Sequence, residues 1–116
     1  MYRSVTIGLA AFLMSCGAEP GWEQLSNGIS YDPSRTTHDG GTTAVWIRVI
    51  PRQTALPNEA YRINRVEMDC SGQRFRMAYT GAYAADGKLI AEDHVPAQWA
   101  GFVPGTRLEP LVQRIC

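Results

Sequence analysis

The sequence predicts an α+β fold: an antiparallel β-sheet, a meander of about 5–6 strands, with a C-terminal helix packed on it and tied by a disulfide. Three observations predict it. Between residues 42 and 83, β-branched and aromatic side chains recur with a period of two. Over the last residues the period lengthens, and Leu108, Leu111, Val112 and Ile115 fall on one stripe of a helix. Finally, Cys70 stands at the tip of the strand pattern, and Cys116 ends the helical one.

The elements follow in order. Arg3 supplies one positive charge, and residues 5–14 are mostly apolar. That run is too short to cross a ~30 Å hydrocarbon core as a helix, and it has the pattern of a secretory signal peptide. Its end is more specific. Leu13-Met14-Ser15-Cys16 resembles the bacterial lipobox. The resemblance implies that the Cys16 thiol is alkylated with diacylglycerol, that the chain is cut after Ser15, and that the new terminus is acylated. Each buried CH₂ is worth ~0.8 kcal/mol, so two or three acyl chains on one residue anchor a small domain firmly. Residues 1–15 are then a signal peptide, 16–21 a tether and 22–116 the folded domain. Gly17, not aspartate, follows the lipid cysteine, which favours the outer membrane. The alternative is ordinary cleavage after Ala18, releasing a soluble periplasmic or secreted protein.

Removing the signal leaves about 100 residues, enough for one domain. The chain carries 11 basic and 11 acidic residues, without the basic surplus of a nucleic-acid binder. Export places Cys70 and Cys116 in an oxidising compartment, where two remaining thiols pair. Their bridge closes a loop of about 46 residues, which the chain-entropy model credits with ~4 kcal/mol.

Residues 22–25 and 29–32 read as short strands around the turn-prone Ser26-Asn27-Gly28. Residues 33–41 read as a loop. TTAVWIRVI, residues 42–50, is the clearest strand, and Pro51 ends it. After a second loop, residues 59–83 form a hairpin turning at Ser71-Gly72. Counting outward from Cys70 opposite Gln73, Met68 pairs with Phe75, Val66 with Met77 and Asn64 with Tyr79, all on the core face. On the other face Asp69 meets Arg74 and Glu67 meets Arg76, each pair worth ~0.2–1 kcal/mol. A one-residue slip breaks both patterns at once. Asp86-Gly87 marks a further two-residue turn, which pairs Tyr83 with Ile90 and continues the core face. In the tail, Thr106 and Glu109 have capping-box spacing, although Pro110 suits a helix starting later.

Candidate functional residues are few. If Val45, Ile47 and Val49 face inward, Trp46 and Arg48 face outward and form a candidate binding surface of hot-spot composition. The alternative is a second apolar layer, with Trp46 covered by residues 99–102, because large aromatics are mostly buried. His38-Asp39 and Asp93-His94 are pairs whose members point oppositely on a strand, and they read as surface polar residues rather than metal or acid–base sites. No metal, cofactor or catalytic residue is expected, and no Gly-x-Ser-x-Gly, His-Glu-x-x-His or phosphate-loop motif occurs. The expected partners are the membrane, through Cys16, and another protein. An unpaired sheet edge leaves room for a homodimer.

Trp22, Tyr31-Asp32, Val45-Trp46, Cys70, Tyr79, Trp99, Pro104-Gly105-Thr106 and Cys116 occur in that order. The order and the two cysteines resemble the surface-adhesin protein E family of bacterial envelope lipoproteins, with Thr106 where serine is usual. The resemblance covers the whole mature chain. It implies an antiparallel sheet with a disulfide-tied C-terminal helix, and attachment to host proteins through surface loops. A structural or accessory lipoprotein serving an envelope complex is the alternative function.

Overall fold

A computed structural model describes residues 21–53 and 56–116. Cys16 and the lipobox lie outside the described residues. The strands are β1 (Glu23–Ser26), β2 (Ile29–Tyr31), β3 (Thr37–Asp39), β4 (Thr42–Val49), β5 (Tyr61–Asp69), β6 (Arg74–Tyr83), β7 (Leu89–Asp93) and β8 (Ala100–Gly101). Among the described residues one α-helix, α1 (Glu109–Ile115), follows the strands. The strands form one antiparallel sheet of order β1-β2-β4-β5-β6-β7. The short β3 and β8 extend it beside β4 and β6.

The predicted meander is therefore present, with two additions. Residues 33–41, expected as loop, hold a 3-10 turn at Pro33–Arg35 and then β3. Asp32 makes that turn: its carboxylate accepts from the Ser34 amide at 3.0 Å, the Ser34 hydroxyl at 2.6 Å and Arg35 Nε at 2.7 Å. The chain can then rejoin β4, so β2 and β3 line successive halves of one strand.

The β5–β6 hairpin keeps the expected register near its tip: Asp69 faces Arg74, Met68 faces Phe75, Glu67 faces Arg76 and Val66 faces Met77. It then departs. Arg65 faces Tyr79 and Asn64 faces Thr80, so Ala78 is an extra residue on β6, a β-bulge. The expected Asn64–Tyr79 pair is corrected, and so is the placement of Tyr79 on the core face. Asn64 stays on that face, donating from Nδ2 to the Thr80 hydroxyl at 2.7 Å. A buried amide needs such a partner, and the same Nδ2 also reaches the Tyr79 backbone carbonyl at 3.4 Å.

The next turn also differs by one residue. Ala84 donates to the Lys88 carbonyl and accepts from Gly87, so the tight loop between β6 and β7 holds three residues, 85–87, rather than two. Gly87 takes the left-handed conformation (φ 89°) that this loop requires. Tyr83 consequently faces Leu89, not Ile90, and it lies on the outer face.

The inner face of the sheet and α1 enclose the core. Val45, Ile47, Val66 and Leu111 are completely buried, with Tyr31 and Met68 beside them. Burial of such side chains contributes ~1.5–3 kcal/mol each. Leu108, Val112 and Ile115 flank Leu111, as the helical stripe predicts. The helix begins at Glu109, with Pro110 in its first turn and no side-chain cap, so the capping box is not formed. Instead, the Thr106 hydroxyl donates to Val103 and Glu109 accepts from the Gly105 amide. A seven-residue helix does not persist alone in water. Packing and the Cys70–Cys116 disulfide, with Cα atoms 5.6 Å apart, hold it on the sheet.

Candidate binding surface

The outer face of the sheet carries the candidate site. Trp46 faces Arg65 across β4–β5, and Arg65 faces Tyr79 across β5–β6. The three thus share one rung, Trp–Arg–Tyr, crossing three strands. The Ala78 bulge creates this rung: in unbroken register Tyr79 would point at the core. Trp46 and Tyr79 meet edge-on, with ring centroids 5.6 Å apart.

Arg35, delivered by the 3-10 turn, lies 5.5 Å from the Trp22 ring and 5.3 Å from the Trp46 ring. Asp32 fixes it there, and the Ser34 and Arg35 side chains hold the Asp32 carboxyl below its usual range. Arg48 stacks on Tyr61 at 4.5 Å, and Tyr61 stacks on Tyr83 at 5.3 Å. At the hairpin end, Arg74 and Arg76 both lie 4.7 Å from the Trp99 ring. Each cation–π contact of this kind contributes ~0.5–1 kcal/mol at an exposed site.

Trp99 is therefore spent on Arg74 and Arg76, while Phe102 packs on Phe75 toward the core. Residues 99–102 do not cover Trp46, and the expected second apolar layer is corrected to an arginine–aromatic layer. The acidic partners are in place as expected: Arg74 Nε is 3.0 Å from Asp69, and Arg76 Nε is 2.7 Å from Glu67. Arg65 Nη1 adds a second contact to Glu67 at 2.8 Å. Arg76 and Arg65 hold the Glu67 carboxyl below its usual value.

Between these residues lies a cleft of about 510 Å³, lined by Arg35, Trp46, Ile63, Arg65, Ala78, Tyr79, Tyr83, Glu92 and His94. The Tyr79 hydroxyl donates to Glu92 at 2.7 Å, and the His94 ring is 3.2 Å from the other Glu92 oxygen. Tyr83, burial and Glu92 together hold the Tyr79 phenol proton well above the ordinary tyrosine value. Gly81 makes the geometry fit. A Cβ there would lie 2.6 Å from the Tyr79 hydroxyl and 2.9 Å from the Tyr83 ring.

The structure thus brings Trp46 together with Arg35, Arg65 and Tyr79, and places Arg48 one rung away beside Tyr61. Arg35, Arg65 and Glu92 were not singled out from the sequence, while Tyr79 was placed on the core face and His94 was read as a surface polar residue. One signal was available: an isolated glycine within a strand pattern, here Gly81, marks a bulge or a close approach. His38 sits on β3 with Nδ1 3.1 Å from the Thr43 hydroxyl. Among the described residues, no three His, Cys, Asp or Glu side chains gather as a metal site. No helix among them is long and apolar enough to cross a membrane.

Comparison with known proteins adds two findings. The family model for surface-adhesin protein E matches residues 22–116. The crystal structure of Haemophilus influenzae protein E, in crystal form II, superposes with a TM-score of 0.68. It covers 85% of this chain and 89% of its own, at 15% identity, which makes the likeness one of fold. No curated protein matches the chain significantly.

Proposed function

Because the chain belongs to the surface-adhesin protein E family, we propose that it is a lipid-anchored protein of the bacterial outer membrane whose outer sheet face adheres to other proteins. In this reading residues 1–15 are removed, Cys16 carries the lipid, residues 16–21 act as tether, and residues 22–116 form the adhesive domain. The family is one of surface adhesins rather than catalysts. The observation that carries the reading is the outer face itself. Trp46, Arg65 and Tyr79 share a rung there, flanked by Trp22, Arg35 and Arg48. Tryptophan, tyrosine and arginine dominate the residues that carry binding energy at protein interfaces. Their rigid rings lose little conformational freedom on binding, and stacking pre-orders the guanidiniums.

The test uses cells that display the full chain on immobilised basement-membrane extract. Trp46→Ala and Tyr79→Ala should each reduce adhesion by about tenfold or more, the effect of a hot-spot residue. Adhesion undiminished by both would refute the outer face as the binding surface. Cys16→Ser should move the protein from the membrane to the soluble fraction, and continued membrane association would refute the anchor.

A further inference from the structure

The cleft beside the Trp–Arg–Tyr rung has a more specific chemistry. Two guanidiniums, from Arg35 and Arg65, line it together with the Trp46 and Tyr79 rings. Among the described residues, Arg35 spends only Nε on an acidic partner, Asp32, and Arg65 spends only Nη1, on Glu67. A guanidinium has five N–H donors in a fixed fork. Both arginines are therefore oriented by one nitrogen and keep donors for an incoming group. The one acidic lining residue, Glu92, is occupied by the Tyr79 hydroxyl and the His94 ring. The cleft is in the size range of a small-ligand site, so it accommodates a side chain with adjoining backbone rather than a lone ion.

We propose that this cleft takes an aspartate or glutamate side chain of a partner protein, presented beside an aromatic or aliphatic residue. The proposal rests on the outer face being the binding surface. The carboxylate sits between the Arg35 and Arg65 guanidiniums, and the neighbouring apolar residue packs on Trp46 and Tyr79. Charge balance favours a protein over a sulfated polysaccharide. A polyanion needs an unbalanced basic stripe. Here Asp32, Glu67, Asp69 and Glu92 set four carboxylates among the guanidiniums of Arg35, Arg65, Arg74 and Arg76 along the face. Local donors remain, but little long-range field does. Such a site recognises one carboxylate held in good geometry.

The probe is a fluorescein-labelled decapeptide of alternating glutamate and tyrosine, titrated against the full-length chain in detergent and read by anisotropy. Matched glutamine–tyrosine and lysine–tyrosine peptides are the controls, and a heparin hexasaccharide is the rival ligand. The glutamate peptide should bind saturably, and the glutamine peptide about tenfold more weakly or worse. Arg35→Gln and Arg65→Gln should each weaken binding about fivefold or more, with Arg65→Lys restoring only part, because lysine lacks the fork. Arg35 is on a surface turn, so its variant keeps the test alive if Arg65→Gln does not fold. Equal binding of the glutamine or lysine peptide would overturn the proposal. So would binding of heparin alone, or no binding at all. Loss of matrix adhesion in Trp46→Ala together with no peptide binding would overturn only the acidic partner and leave the outer-face reading standing.

Discussion

At the scale of single residues, Gly81 controls the outer face by lacking a side chain. The Tyr79 hydroxyl and the Tyr83 ring occupy the space where its Cβ would be. In Gly81→Ala, the Tyr79 side chain must swing away from Glu92. Its phenol then loses the interactions that raise its pKa, so it should titrate at lower pH, toward the ordinary value near ~10. Ultraviolet titration of the tyrosinate band checks this, and an unchanged titration would show that Tyr79 is held by something other than Tyr83 and Glu92. What the sequence made legible at this scale was chemical type. Trp46 and Arg48 could be placed outward because they alternate with Val45, Ile47 and Val49 on β4, which pairs with β5 in unbroken register. Arg35 and Tyr79 could not, since one depends on a turn built by Asp32 and the other on a bulge. Neither event changes the hydrophobic pattern enough to be read from one chain.

At the scale of elements, the Ala78 bulge converts an ordinary hairpin into a binding face. Up to Met77 the pairing follows the sequence, because charged pairs on one face and apolar pairs on the other demand the same register. Beyond it the two faces no longer agree on a register. Asn64 must reach the Thr80 hydroxyl, while Tyr79 must avoid a core already filled by Val45, Ile47 and Val66. An extra residue satisfies both. Deleting Ala78 should restore unbroken register and drive Tyr79 inward. Overpacking of this kind costs ~1–3 kcal/mol. Urea unfolding should show the loss, and tryptophan emission should report Trp46 released from Tyr79. An unchanged midpoint and emission would mean that the bulge does not direct Tyr79. The helix was legible from its stripe and its cysteine, whereas its start was not, because Thr106 and Glu109 carry the right spacing but bond elsewhere.

At the scale of the whole molecule, one covalent link joins sheet and helix. Replacing Cys70 and Cys116 together by alanine should cost ~2–5 kcal/mol, measured by urea unfolding without reductant. Ionic pairing sets the acid limit. Asp32, Glu67, Asp69 and Glu92 all have folded pKa values lowered by hydrogen bonds and neighbouring cations or donors. A depressed carboxyl stabilises the fold fully above its unfolded value and loses that contribution as pH falls through its folded value. Stability should therefore fall as pH drops below about 4, the unfolded carboxylate range, and not on mild acidification above it.

The most direct test of the outer face as the adhesive surface is cross-saturation NMR of the ¹⁵N-labelled domain with unlabelled basement-membrane proteins. The signals of Trp46, Ile63, Arg65, Tyr79 and Tyr83 should attenuate, while those of Leu111, Gln113 and Ile115 on the helix side stay unchanged. Attenuation confined to the helix, or to the β7 edge, would contradict it.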